Sequence, residues 1–291
     1  GSVMVVLTSS VSLGGITIFP AIMTLIFALL LQITANLYHG YFDLSGGAGE
    51  NIGGMRDRDS RASNSARVQL LKIVANGFGF LTLTAGTSIL SFTGWIGAGY
   101  AVVIAILLYF YFAGPKPGVR TKWSVIYTFI LFGPIGVSGT ALIQNMQNPN
   151  WLPVAVYSVI IGVLAVNAHI AVQYIRYEED KVNCKETLVT SSGVHTARYV
   201  YLGNAILVTA ILIIRPSAVE YVSPWVGTIL GVCLLLSSIW ACSKMQQHPT
   251  KVSRTVRKVT MWQYVAITLT LMVIVLCSID KFEINVIQLI Q

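Results

Sequence analysis

The chain has 291 residues, of which 55% are hydrophobic and 10% are charged, and its formal net charge is +8. Soluble domains carry about 25% charged residues, so this composition excludes an ordinary soluble domain and indicates a membrane protein. The basic residues gather in a few polar connections rather than on one patch, and we therefore expect no nucleic-acid partner.

Long apolar runs follow one another along the chain. About 20 apolar residues cross a bilayer as a helix, whereas transmembrane strands are shorter and alternate in polarity. The pattern predicts an all-α bundle of about nine spans in a single membrane domain, residues 1–291. The predicted spans are 3–17, 19–41, 68–91, 94–113, 123–146, 152–175, 198–215, 221–243 and 260–279. Gly1-Ser2 resembles a cloning remnant, and we expect the natural N-terminus to precede it.

The basic residues predict the orientation of the bundle. The connections after spans 2, 4, 6 and 8, with their flanks, hold 17 of the 19 Lys and Arg residues. Cytoplasmic loops carry such an excess. We therefore expect the connections 43–66, 114–122, 177–197 and 245–259 on the cytoplasmic side, where they can also meet anionic lipids.

The acidic residues form two groups that the orientation rule does not explain. Eight of the 11 acids lie in the connections after spans 2 and 6. Acids at two helix ends among Arg and Lys can hold a divalent cation bridged to a phosphate. A solvated loop of locally paired charges explains the same composition equally well.

Four stretches carry recognisable motifs, three of them in or beside these connections and one within the predicted span 123–146. They read "LLQITANLYHGYFDLSGGAG" (30–49), "FAGPKPGV" (112–119), "FGPIGVSGTALIQ" (132–144) and "RYEEDKVNCKETLVTSSG" (176–193). Their content and order resemble the UbiA superfamily of intramembrane prenyltransferases. Within it they are most similar to the menaquinone-pathway branch, the 1,4-dihydroxy-2-naphthoate polyprenyltransferases.

The resemblance implies a UbiA-like bundle around a central cavity, capped by the connections 43–66 and 177–197. It also implies transfer of a polyprenyl chain from a diphosphate donor to a naphthoate-type aromatic acceptor, with Mg²⁺ bridging protein carboxylates and the diphosphate. Asp43 and Asp180 would then be catalytic. The implied metal ligands are Asp43, Glu178, Glu179 and Asp180, and the implied diphosphate-binding residues are Asn36, Arg56, Lys116, Arg120, Lys122 and Arg176.

This chain departs from the family pattern in the first acidic motif. Gly40 stands where the family has the first Asp, and Gly49 stands at the third acidic position with Glu50 beside it. Asp43 is retained. Mg²⁺ bound by one carboxylate and by substrate phosphates is physically possible, and we expect this first metal site to be weak.

Two other readings stay open. The departures also fit a non-catalytic UbiA-fold subunit, or a lipid- or quinone-binding structural protein that has lost metal ligands. A transporter is less favoured, because the sequence lacks the paired interrupted spans typical of many transporters. His169, an ionisable residue inside span 6, is expected to face a cavity or a neighbouring helix.

Overall fold

The computed structural model describes residues 18–45, 58–112, 116–144, 151–214, 224–245 and 252–278. Within these ranges there are nine α-helices and no strand beyond a single bridge between Thr121 and Glu186. The helices are α1 (Ile18–Ser45), α2 (Arg58–Phe112), α3 (Ser124–Ile130), α4 (Gly136–Gln144), α5 (Trp151–Ile175), α6 (Tyr177–Val182), α7 (Leu188–Ile214), α8 (Pro224–Lys244) and α9 (Val252–Ser278). A 3₁₀ turn, Gly118–Arg120, precedes α3, and a π-helical turn, Leu131–Ile135, joins α3 to α4.

Seven helical segments of the described chain are long and apolar enough to cross a membrane. They are Phe19–Phe42, Ser65–Ser91, Thr93–Phe112, Ser124–Gln144, Trp151–Ile175, Leu188–Ile214 and Trp225–Lys244. The predicted all-α membrane fold is therefore confirmed. Helix α9 overlaps the predicted span 260–279, and the predicted span 3–17 lies outside the described residues.

Helix α2 contains two spans that reverse direction at Gly94. Tyr38 of α1 donates a 2.8 Å hydrogen bond to Asn76 in the first arm of α2. The ring of the adjacent His39 lies 6.4 Å from that of Phe112, at the end of the second arm. The middle of the first arm and the end of the second arm thus lie beside the same turn of α1. The reversal occurs at Gly94, whose φ of 56° favours glycine.

Helix α5 forms the centre of the bundle, and most of its residues are buried, including Tyr157 and Ile161. The π-helical turn packs against it. Pro134 lies in that turn and provides no N–H for a regular helical bond, which is consistent with the wider turn. Gly133 and Gly162 let the two backbones come close, since a Cβ on Gly133 would lie 3.1 Å from the Gly162 Cα.

Two predicted boundaries differ from the structure. The predicted connection 177–197 contains α6 and the first turns of α7, which begins at Leu188 rather than near residue 198. Thr187 caps α7, because its hydroxyl accepts a 3.4 Å hydrogen bond from the Thr190 N–H. Gly193, at φ 82°, interrupts the helix shortly afterwards. Short polar helices of this kind lack the apolar run by which spans are recognised.

Candidate active site at the basic end of the bundle

Contacts bring the helix ends that carry the motifs to one end of the bundle. The Glu186 N–H donates a 2.8 Å hydrogen bond to the Arg120 carbonyl, which joins the connections before α3 and before α7. Met245, after α8, is buried in one cluster with Tyr174 of α5 and Val189 of α7. α1 and α2 meet at His39 and Phe112. All four basic connections therefore begin or end at this end of the bundle. Which side of the membrane this end faces stays a prediction.

The second acidic motif forms the short helix α6. Arg176 leaves the α5 helix with φ −86° and ψ 10° and is exposed. Glu178 and Glu179 are exposed, whereas Asp180 is only 4% exposed. The three carboxylates predicted to ligate a metal therefore lie in two environments, two accessible to solvent and one buried.

Asp180 and Lys185 form a buried pair of opposite charges. The Lys185 Nζ lies 4.0 Å from the Asp180 Oδ1, and Lys185 is 6% exposed. The chain turns back between them, since the Lys185 N–H donates to the Asp180 carbonyl at 2.8 Å and Thr190 donates to the Lys185 carbonyl at 2.6 Å. A buried charge requires such a partner. The pair thus links α6, which contains Asp180, to the connection before α7, which contains Lys185.

Helix α1 presents the first motif along one face. Asn36, His39, Gly40 and Asp43 follow at spacings of three, one and three residues, which puts them on one side of a helix. Asn36 is exposed, and His39 and Gly40 are half-buried. The Asp43 backbone is helical, but its side chain and the whole of Arg56 lie outside what the structure describes.

His169 of α5 provides a polar group inside the bundle, near His39. The two imidazoles are close enough to interact electrostatically. The His169 Nε2 is buried and has no hydrogen-bond partner among the described residues. One turn further along α5, the Gln173 Nε2 donates to the Ser124 Oγ at 2.8 Å, and its Oε1 likewise lacks a described partner. α5 therefore turns a polar face inward below the acidic motif.

The two lysines predicted to bind the diphosphate line a cavity apart from the α6 acids. Lys116 and Lys122 line a cavity of about 590 Å³ together with Tyr127 and Glu186, and none of the three α6 acids lines it. Arg120 lies in the 3₁₀ turn beside this cavity, where its carbonyl accepts from Glu186. The structure thus brings Asp180, Arg176 and α1 toward one end but does not group the lysines with the acids.

Lys185 and Gln173 are two buried polar residues of this end for which the sequence predicted no role. Lys185 belongs to the quoted "KETL" stretch, so its place in the motif was the available signal. Gln173 lies within an apolar span, and its contact with Ser124 could not be predicted from one sequence. Neither residue is acidic, so the clustering of acids that drew attention to α6 did not point to them.

The described side chains do not form a complete metal site. Within the described ranges no group of three or more His, Cys, Asp or Glu side chains could hold a metal ion. Carboxylate oxygens suit Mg²⁺, and Glu178 and Glu179 supply them. A full ligand set would need contributions from Asp43 or from substrate.

Comparisons with known proteins agree with the fold. A solved structure of digeranylgeranylglyceryl phosphate synthase is similar over 97% of this chain and 92% of its own, with a TM-score of 0.56 and 16% sequence identity. At this identity the likeness establishes the shared fold. The comparison with curated proteins yields no significant match.

The family comparison matches residues 2–263, nine tenths of the chain, to the UbiA prenyltransferase family. Together with the seven spanning segments, this match identifies the chain as a multi-pass integral membrane protein of the UbiA prenyltransferase family.

Proposed function

We propose that this protein transfers a polyprenyl chain from a diphosphate donor to a small aromatic acceptor of the naphthoate type, as in menaquinone biosynthesis. The observation that carries the proposal is that the exposed Glu178 and Glu179 of α6, with the exposed Arg176 directly before them, lie at the end of the bundle where α1 brings its own motif. The acceptor class rests on the resemblance of the four motifs to the naphthoate branch.

Prenyl transfer requires positive groups around the leaving diphosphate and an apolar surrounding for the prenyl cation. Loss of diphosphate breaks the C1–O bond of an allylic donor and leaves a cation on the prenyl C1, which an electron-rich aromatic carbon then attacks. The ring regains its aromaticity when the attacked carbon loses its substituent, as a proton or, from a carboxyl-bearing carbon, as CO2. The leaving diphosphate gains negative charge, which positive groups such as the exposed Arg176 stabilise. The apolar interior around α5 keeps water away from the cation.

Mg²⁺ is part of this proposal, with Asp43, Glu178, Glu179 and Asp180 as its ligands and Asn36 as a supporting group. When bound, the ion neutralises charge on the diphosphate. The retained Asp43 and the exposed Glu178 and Glu179 offer oxygen ligands of the right type. Arg56 and Arg120 are proposed to contact the diphosphate, whereas Lys116 and Lys122, predicted for the same role, line a cavity that none of the α6 acids lines.

The second candidate is a UbiA-fold protein that binds a lipid or quinone without catalysis. It is favoured by the absence of a three-ligand metal group among the described side chains and by Lys185, which already compensates the charge of Asp180. The two candidates differ in whether an anionic donor binds in a metal-dependent way.

The test is prenyl transfer by the purified protein in lipid nanodiscs with Mg²⁺ varied. Donors of several chain lengths are combined with 1,4-dihydroxy-2-naphthoate and, as the alternative acceptor, geranylgeranylglyceryl phosphate. We expect naphthoate prenylation by the wild type and a loss of roughly 100-fold or more in Asp180→Asn. Glu220→Gln removes an acid predicted on the opposite side and should leave the rate unchanged. Silence of the wild type with every donor and acceptor would favour the second candidate.

A further inference from the structure

The cavity lined by Lys116 and Lys122 lies on the outside of the bundle. It forms where the second arm of α2, α3 and the start of α7 meet, and its volume is about 590 Å³. Leu107 of α2 and Ile126 and Ile130 of α3 line its apolar part. All three belong to segments that can span a membrane, so this part of the cavity faces hydrocarbon.

The polar part of the cavity lies at the depth of lipid headgroups. Trp123, 56% exposed, stands directly before α3 begins. The Lys122 Nζ lies 5.9 Å from the centre of its ring. Tryptophan is enriched at the membrane–water interface, where its ring sits among the headgroups, and lysine side chains extend toward the same layer. Trp123 and Lys122 therefore mark the boundary between hydrocarbon and water on this face.

The charges around the polar part select a ligand with a single negative charge. Lys116, Lys122 and Glu186 are the charged residues that line the cavity, and they give it a formal charge of +1. A phosphodiester carries one negative charge and matches this set, whereas a prenyl diphosphate carries more and would remain uncompensated.

We propose that this cavity binds one anionic phospholipid of the phosphatidylglycerol type. Lys116 and Lys122 contact its phosphodiester, and the upper part of an acyl chain lies along Leu107, Ile126 and Ile130. No residue of α1 and none of the α6 acids lines this cavity, and its test does not depend on the proposed function. The bound lipid joins the connection before α3 to the connection before α7, the same two that meet in the Glu186–Arg120 hydrogen bond.

Native mass spectrometry of the delipidated protein tests this site. Phosphatidylglycerol is added in parallel with phosphatidylcholine of the same acyl chains, and bound lipid per chain is counted. We expect one phosphatidylglycerol retained in preference to phosphatidylcholine. Lys116→Gln/Lys122→Gln should lower its affinity by about 10-fold or more. Lys258→Gln, which removes an exposed charge on α9 at the same end, should retain the lipid.

A second variant tests the apolar part without changing charge. Ile126 is 45% exposed and has room for a larger side chain. Ile126→Trp should fill the space that we propose for the acyl chain. We expect weaker phosphatidylglycerol retention with the helix content unchanged by circular dichroism. Equal retention of both phospholipids would overturn the proposal, as would lysine variants that bind like Lys258→Gln. It would also be overturned if the lysine variants weakened binding of a polyprenyl diphosphate but not of phosphatidylglycerol, because the lysines would then serve the donor.

Discussion

Lys185 is a buried lysine whose replacement is expected to reduce stability. Its ammonium group compensates Asp180, and both side chains are nearly inaccessible to solvent. Removing one partner of a buried ion pair leaves the other charge uncompensated and costs about 3 kcal/mol or more. We expect Lys185→Met to lower the melting temperature in detergent by several degrees, and Lys72→Met, an exposed control on α2, to change it little.

The double variant Asp180→Asn/Lys185→Met separates charge pairing from packing. With both charges removed, most of the stability lost in Lys185→Met should return, because no buried charge remains. A double variant less stable than Lys185→Met would show that the 4.0 Å pair is not the stabilising contact.

Gly40 is the position at which the first motif has lost an acid. The space for a side chain exists, since a Cβ there would lie 3.4 Å from the Leu71 Cδ2, an ordinary contact. If Mg²⁺ binds beside Asp43, Gly40→Asp adds a carboxylate ligand on the same helix face. We expect its prenyl-transfer activity at low Mg²⁺ to equal or exceed that of the wild type. A folded Gly40→Asp variant that needs more Mg²⁺ than the wild type would contradict this reading.

At the scale of elements, the contact of α5 with the π-helical turn holds the polar face of α5 in place. A Cβ on Gly162 would lie 2.8 Å from the Phe129 Cδ2 and 3.1 Å from the Gly133 Cα. Gly162→Ala should therefore force the helices apart and destabilise the protein, by about 1–3 kcal/mol. Gly203→Ala in α7, where nothing lies within 4 Å of an added Cβ, should have no such cost. Equal melting temperatures of the two variants would contradict the close packing.

Sequence patterns predicted the elements where composition dominates. Long apolar runs located seven of the spans, because only a helix satisfies its backbone groups within lipid. The same patterns missed α6, since "YEEDKV" has no apolar run. Lys116 and Lys122 line a cavity that none of the α6 acids lines, and their predicted role at the diphosphate stays a prediction.

At the scale of the whole molecule, the orientation in the membrane stays a prediction from charge distribution. Cys184 provides a direct test, because it is exposed in the connection before α7. In a variant with Cys233, Cys242 and Cys277 replaced by Ser, we expect a membrane-impermeant maleimide to label Cys184 only after the cytoplasmic side becomes accessible. Labelling in intact, sealed cells would reverse the predicted orientation.

The most direct test of the central claim, a diphosphate site between α1 and α6, is metal-dependent binding of an uncleavable donor. Farnesyl thiodiphosphate is titrated into the purified protein by calorimetry, with Mg²⁺ or with EDTA, for the wild type, Asp43→Ala and Glu220→Gln. We expect binding by the wild type that requires Mg²⁺, a loss of about 10-fold or more in affinity for Asp43→Ala, and no change for Glu220→Gln. Binding that is equal with EDTA, or equal in Asp43→Ala and the wild type, would contradict the account.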